Sequence, residues 1–217
     1  MKAEDFAALI LSRLTAAGVD ASAEAIEGSA AYLALLARWN QRINLTAFDL
    51  DRPANDAIDR LVVEPLSAAR FVHPDDQSAI DVGSGGGSPA LPFKLAAPWL
   101  RMQLIEARTR KSAFLREAVR ALGLANAYVE TARFDDRWFA TTFKPVDVVT
   151  MRAVRADAEL WQALGRALRP GGRLFWFVEL VISPNTSVDL LPAVGWRIQP
   201  RFPGQASGLT ILERMRD

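Results

Sequence analysis

One stretch of the chain constrains its fold more than any other. Ala79-Ile80-Asp81-Val82-Gly83-Ser84-Gly85-Gly86-Gly87 is a short apolar run that stops on a loop with four glycines in five positions. Glycine takes positive φ without a Cβ clash and lets another group approach the backbone closely. An apolar strand running straight into such a loop belongs in a sheet whose carboxyl edge is open. In open parallel sheets that edge is where ligands sit.

The surrounding pattern fits a sheet of this kind. Strand candidates lie at 78–82, 101–106, 126–130, 146–151 and 173–178, with helical stretches at 109–122, closed by Gly123, and at 156–168, closed by Pro170-Gly171-Gly172. Strands alternating with helices predict an α/β fold with a mostly parallel sheet and helices on both faces. Two further candidates, 195–200 and 208–213, follow without a helix between them, which predicts an antiparallel hairpin at the sheet edge and seven strands in all. Residues 4–45 read as helices instead. Phe6, Leu9, Ile10 and Leu14 recur at helical spacing before Gly18, and Ser22 is a candidate N-cap for a helix presenting Ile26, Ala30, Leu33, Leu36 and Ala37. A third helix is expected from about 55 to 71, so residues 1–72 form a helical extension ahead of a core at 73–217.

Composition narrows the class. Half of the 217 residues are apolar and 24% are charged, too apolar for a disordered chain. The sequence holds no run of about 18 apolar residues, which a membrane helix needs. Without cysteine the chain has no disulfide framework and no thiolate nucleophile. The amino terminus lacks the layout of a secretory signal, so a cytoplasmic protein, not bound to membrane and monomeric, is expected. The net charge of +1 is unevenly spread. Residues 101–133 carry seven Lys/Arg against three Glu, while residues 1–70 carry seven against ten acids. A basic second half is compatible with a phosphate-rich partner, although 22 of the 26 cations are Arg, which codon bias also produces.

The loop's neighbours discriminate among ligands. A phosphate-binding loop needs Gly-Lys-Ser/Thr, and Gly87-Ser88-Pro89 stands there. A dinucleotide fingerprint opens a long helix, whereas Pro89 and Pro92 follow this loop. The second strand candidate ends in Glu106, placed to accept both hydroxyls of a ribose. Asp81 would repel a pyrophosphate but tolerate a ligand bearing an amino group and a sulfonium. The pattern suits S-adenosylmethionine better than a dinucleotide; a tight turn with no ligand is the plain alternative.

Several methyl acceptors are disfavoured by what is absent. Pyrimidine-carbon methylation needs a covalent nucleophile, normally Cys. Exocyclic amines are usually handled by an Asp/Asn-Pro-Pro-aromatic loop after the fourth strand, where this chain reads Thr150-Met151-Arg152-Ala153. The only histidine, His73, lies in a turn before the first strand. An acceptor that is already nucleophilic, such as guanine N7, requires only placement and electrostatics, with Arg152 positioned to hold the guanine O6 edge or a phosphate.

Leu36-Ala37-Arg38-Trp39-Asn40-Gln41-Arg42-Ile43-Asn44-Leu45-Thr46 resembles the amino-terminal signature of the bacterial 16S ribosomal RNA guanine-N7 methyltransferases, the glucose-inhibited division protein B family. Asp81 to Gly87 with Pro89 and Pro92 is similar to that family's donor loop. Glu106 followed by Arg110-Lys111-x-x-Phe114-Leu115-Arg116 resembles its second strand and next helix, and Met151-Arg152-Ala153 its S-R-A motif; the match spans roughly 30 to 175. The resemblance implies a Rossmann-like class I methyltransferase with S-adenosylmethionine as donor, no metal, and 16S rRNA or the 30S subunit as partner. It implies donor contacts at Asp81, Gly83, Ser84, Gly85, Gly87, Glu106, Ala132, Arg133 and Asp135 and an acceptor-side role for Arg152. The basic stretch with Arg108, Arg110, Lys111, Arg116 and Arg120, together with Arg60, is the candidate for RNA backbone contacts, and a solvated amphipathic helix is its equal alternative. The chain departs from the family at Leu61, Glu64 and Pro65 within Arg60-Leu61-Val62-Val63-Glu64-Pro65-Leu66 (usually R-H-x-x-D-S-L, so the acid is lengthened), at Ser88 in the donor loop (usually Phe), and at Val178-Glu179 (usually K-G). A changed substrate, such as a free small molecule, and a binder without turnover therefore stand beside the rRNA reading.

Overall fold

In the computed structural model, residues 1–135, 144–154, 157–178, 195–199 and 208–215 are described. Two long helices come first, α1 (Ala3–Ala17) and α2 (Ala23–Asn40). Gly18, at φ 63°, closes α1 in the left-handed conformation, and the Ser22 hydroxyl caps α2 by accepting from the Ala25 amide at 3.2 Å.

The expected helix over 55–71 forms, but not as one regular element. It consists of α3 (Asn55–Ile58), a π-helical turn (Asp59–Val63) and α4 (Glu64–Ala69). The cause is Pro65, which has no N–H to give the Leu61 carbonyl four residues back. The Glu64 amide reaches five residues back to Asp59, leaving the carbonyls of Arg60 and Leu61 available to other parts of the chain.

The sheet contains β1 (Ser78–Val82), β2 (Arg101–Ile105), β3 (Ala127–Glu130), β4 (Val146–Met151), β5 (Leu168–Trp176), β6 (Trp196–Ile198) and β7 (Thr210–Arg214), with α5 (Ala90–Ala96), α6 (Thr109–Ala121) and α7 (Ala158–Ala167) between them. Its order is β3-β2-β1-β4-β5-β7-β6. The first five strands pair in parallel, and β7 runs antiparallel to both β5 and β6. The fold is the seven-stranded, mostly parallel α/β sheet with an N-terminal helical extension. The terminal hairpin is at the edge, but its later strand lies inside and its earlier strand outside.

Side-chain alternation divides the sheet into two cores. Ala79, Met102, Leu104, Val148, Phe175 and Ile211 face one core together with Phe6, Leu33, Leu36, Phe93 and Phe114, so α1, α2, α5 and α6 share one layer. Ile80, Val82, Ile105, Val149, Leu174 and Trp176 face the other, against Leu160, Trp161 and Leu164 of α7. Phe175, Trp176 and Phe177 are buried, as expected for packing residues; Trp138 and Phe139 lie outside the described residues.

One boundary differs from the sequence expectation. Pro170-Gly171-Gly172 does not precede β5 but bulges within it: Leu168 pairs with Val146 and Arg173 with Val148. Gly171 has φ 79°, and a Cβ on Gly172 would come within 2.8 Å of the Arg169 carbonyl oxygen. Glycine therefore fits the bulge as well as it fits a helix stop.

Candidate active site

The glycine loop leaves β1 and is fastened to the end of β2. The amides of Gly83 and Ser84 both donate to the Ile105 carbonyl, at 2.9 and 3.0 Å. The Glu106 carboxylate then accepts from two backbone amides, Gly85 at 2.9 Å and Arg108 at 2.8 Å. A carboxylate offers about four acceptor positions, so both oxygens keep capacity for a ligand while their orientation is set. Gly83 and Gly85 take φ of 70° and 52°, which other residues seldom adopt.

A cleft of about 830 Å3 opens beside this junction. Gly83, Glu106, Ala132, Arg133 and Asp135 line it, so the structure brings together residues from β1, β2 and the segment after β3. Four of its lining side chains are carboxylates (Glu106, Asp135, Asp157, Glu159) and one is a guanidinium, Arg133. Asp157 also caps α7, accepting from the Leu160 amide at 2.9 Å.

Asp81, Ser84, Gly85 and Gly87 lie behind or beneath the cleft and do not form its wall. Asp81 is fully buried. One of its carboxylate oxygens accepts from the Thr150 hydroxyl at 2.5 Å, and the other, Oδ2, is buried without a partner among the described residues. Burial pushes the Asp81 carboxyl up to about 6, against the opposing pull of the Thr150 hydrogen bond, the nearby Ser84 hydroxyl and the Arg152 charge. Ser84 is buried and its hydroxyl turns back onto the Asp81 carbonyl.

The far side of the loop is gripped by the helical extension. The Tyr32 hydroxyl donates to the Gly86 carbonyl at 2.8 Å. A Cβ on Gly86 would come within 2.7 Å of the Leu45 carbonyl oxygen, and one on Gly87 within 2.6 Å of Leu91 and 3.1 Å of the Tyr32 ring. Leu45 is held there by Asn40, whose side-chain oxygen accepts from the amides of Leu45 and Thr46 and whose amide donates to the Thr46 carbonyl. Trp39 packs edge-on against Phe114 of α6, with centroids 5.8 Å apart. The Trp39-Asn40 to Leu45-Thr46 stretch thus braces the loop. Tyr32 escapes a sequence reading because it looks like one more core aromatic; its buried hydroxyl was the available signal, since such a group needs a partner.

Arg152 follows β4 and is not a free surface cation. Its Nη2 pairs with Glu64 Oε2 at 2.8 Å and its Nη1 donates to the Arg60 carbonyl, one of the two carbonyls released by the π-turn. Its guanidinium lies 4.6 Å from the Phe177 ring centroid, and its Nε is buried with no partner among the described residues. Burial lowers the pKa of Arg152 and raises that of Glu64, in each case against the attraction of the other. The second released carbonyl, Leu61, accepts from the Ser88 hydroxyl at 2.9 Å. Pro65 and Ser88, read in the sequence as separate departures, meet here: one removes the carbonyl's usual donor and the other supplies a new one. Glu179, a further departure, lies outside the described residues.

The basic positions are dispersed. Arg60 is exposed on the π-turn beside Arg152. Arg108, Arg110 and Lys111 cluster at the start of α6, where no acidic residue stands in the first turn, and Lys111 reaches toward Gly85. Cations at a helix N-terminus oppose its dipole by about 0.3–1 kcal/mol each, so stability does not explain their presence. Arg116 is engaged with the Thr131 hydroxyl at 2.7 Å. Arg38, Trp39, Arg42 and Glu117 frame a smaller cleft of about 280 Å3 at the α2–α6 junction.

Residues 25–178 match the family described as rRNA small subunit methyltransferase G, GidB. Among similar proteins, the ribosomal RNA small subunit methyltransferase G of Stenotrophomonas maltophilia (strain K279a) is 37% identical over 178 residues, 82% of this chain and 79% of that one. The protein of the same name from Neisseria meningitidis serogroup C (strain 053442) is 33% identical over 82% of each chain. Two solved structures share the fold at low identity. Mitomycin 7-O-methyltransferase MmcR has a TM-score of 0.55 at 21% identity, covering 84% of this chain and 60% of its own. An O-methyltransferase family protein from Burkholderia thailandensis has a TM-score of 0.54 at 18% identity, covering 91% and 74%.

Proposed function

The chain belongs to the rRNA small subunit methyltransferase G family, and on that premise we propose that it transfers a methyl group from S-adenosylmethionine to N7 of a guanine in small-subunit (16S) ribosomal RNA. The observation that carries this reading is the contrast across the end of β4. A carboxylate-lined cleft lies on one side, and on the other is Arg152, a cation that cannot take up a proton. Guanine N7 presents a lone pair and needs no base, so alignment and charge suffice.

The cleft fits the donor. Its volume falls in the range of about 300–1,000 Å3 usual for small-ligand sites, and its excess of carboxylates suits a sulfonium and disfavours a phosphate. The unpartnered Asp81 Oδ2 beneath the loop adds a negative site close by. When bound, the donor supplies an electrophilic methyl group. Glu106, braced by two amides, would accept from the ribose hydroxyls. Gly83 and Gly85 would let the ligand lie against the backbone, and Ala132, Arg133 and Asp135 would border the base. Asp81, Ser84 and Gly87 would act by holding the loop's shape.

The same acidic cleft would repel an RNA backbone, so the RNA would approach over the basic positions. Arg60 stands on the Arg152 side and Arg108, Arg110 and Lys111 on the α6 side, with Arg116 at their margin. In this reading residues 1–72 form the extension that braces the donor loop and residues 73–217 the donor-binding core. The deciding experiment is incubation of the protein and methyl-labelled donor with 30S subunits from a strain lacking the modification, followed by nucleoside analysis. Label in 7-methylguanosine is expected; label in another nucleoside, or only in a free small molecule, rules the proposal out.

A further inference from the structure

We propose that Glu64 and Arg152 together read the acceptor guanine, with the guanidinium meeting O6 and the carboxylate meeting N1–H. This rests on a guanine being the acceptor, as proposed above, and adds to it the residue that selects the base.

The two side chains lie side by side at 2.8 Å, a row of donors next to an acceptor. Guanine shows the complementary order on its six-membered ring, an O6 acceptor next to an N1–H donor. Adenine shows the reverse, an N6 amino donor next to an N1 acceptor, and would set donor against donor and lone pair against lone pair. A guanine held by O6 and N1–H keeps its N7 lone pair unengaged. Grasping it by O6 and N7, the common arginine contact, would occupy the atom to be methylated.

Three features indicate that the pair is arranged for a ligand. First, Arg152 Nε is buried and has no partner among the described residues, although both terminal nitrogens of the same group are bonded; buried donors in native proteins are seldom left so. Second, Gly208 faces Glu64, where a Cβ would come within 3.3 Å of Oε1, so space beside that oxygen depends on glycine. Third, the π-turn shifts the Glu64 amide to Asp59 and presents the Arg60 carbonyl to Arg152, fixing both groups from one backbone irregularity. Such bulges in helices often mark functional sites. Stability offers little reason for the arrangement, since a buried ion pair commonly does no better than an apolar one.

The acceptor is first mapped in small-subunit RNA with the wild-type protein and labelled donor. Semi-synthetic RNA carrying guanosine or 1-methylguanosine at that position is then prepared by ligation. For the wild type, kcat/KM is expected to fall about 10- to 100-fold when N1–H is replaced by N1–methyl, the size of one good base contact. Glu64→Ala is expected to lose a similar factor on guanosine and to treat the two RNAs alike. Glu64→Gln, close in volume, serves where the alanine variant does not fold. Its single side-chain oxygen is claimed by Arg152, which turns its NH2 toward N1–H, so it too is expected to lose the distinction. Donor affinity, measured by calorimetry, should remain within about twofold in both variants, consistent with a contact to the acceptor alone. Indifference of the wild type to N1 methylation, or a variant that keeps the full penalty, overturns the assignment. Absence of 7-methylguanosine from unmodified RNA with the wild type instead overturns the proposed function beneath it.

Discussion

The two sides of the site are built differently. The proposed donor side is assembled almost wholly from backbone: amides of Gly83 and Ser84 on the Ile105 carbonyl, and amides of Gly85 and Arg108 on Glu106. Its parts come from one strand–loop unit and its neighbour, within 26 residues of chain. The proposed acceptor side is assembled from side chains that reach across the fold, with Arg152 bonded 88 and 92 residues away to Glu64 and Arg60 and Ser88 bonded 27 residues away to Leu61. Backbone-built sites tolerate side-chain replacement around them. Sites built from long-range side-chain contacts can change substrate by changing a few residues, and it is on this side that the departures at Leu61, Pro65 and Ser88 fall.

The sharpest way to break this division is Arg152→Met. Methyl transfer is expected to fall by about 10^2–10^3, the usual loss when one preorganised charge contact is removed, while donor affinity changes by less than about threefold. Calorimetry beside single-turnover kinetics measures both, and a parallel loss of donor binding would merge the two sides into one.

Asp81→Asn probes the buried link between them. With its carboxyl pushed up to about 6 by burial, the folded protein holds a proton that the unfolded chain, titrating near 4, gives up first. The contribution of Asp81 to stability is therefore complete below about pH 4 and declines as the pH rises toward about 6. The asparagine variant should be more stable than wild type by about 2–3 kcal/mol at pH 7 and nearly equal to it at pH 4, as read by denaturant titration at both values. A variant less stable at pH 7 would show that Oδ2 carries a favourable interaction in the folded chain.

Glu106→Gln tests the donor side alone. The amide must turn its NH2 toward one of the two backbone N–H groups, losing about 1–2 kcal/mol. Donor affinity should drop about tenfold with RNA affinity unchanged, measured by calorimetry and filter binding. The smallest effect is expected from Ser88→Ala, which strips the Leu61 carbonyl of its donor at about 1 kcal/mol. Pro65→Ser in that background restores a backbone N–H and should recover most of the loss in thermal denaturation. Additive effects of the two substitutions would separate positions that the structure joins.

What could be read beforehand follows the same line. The strands, the glycine loop and Glu106 declare themselves because apolar alternation, positive-φ glycines and an acid at a strand end are short-range signals. Gly83 and Glu106 line the cleft together with Ala132, Arg133 and Asp135; the last three come from the family resemblance, not from any local signal. Tyr32, Asn40 and Glu64 were not given roles, because a hydroxyl under a loop, an amide stapling a turn and a carboxylate behind an arginine mean nothing until their partners are known. Pro170-Gly171-Gly172 reads in the sequence as a helix stop because glycine and proline mark both stops and bulges, and only pairing with β4 distinguishes them.

The order of residues determined by itself that this chain forms a strand–helix sheet with a glycine loop at its carboxyl edge, since those properties depend on spacing and on the intrinsic conformational freedom of each residue. Tertiary structure alone decided that β7 lies between β5 and β6, that the helical extension clasps the loop, and that Arg152 meets Glu64 over Phe177. Those outcomes depend on which distant groups find one another once water is excluded, and no local pattern encodes that.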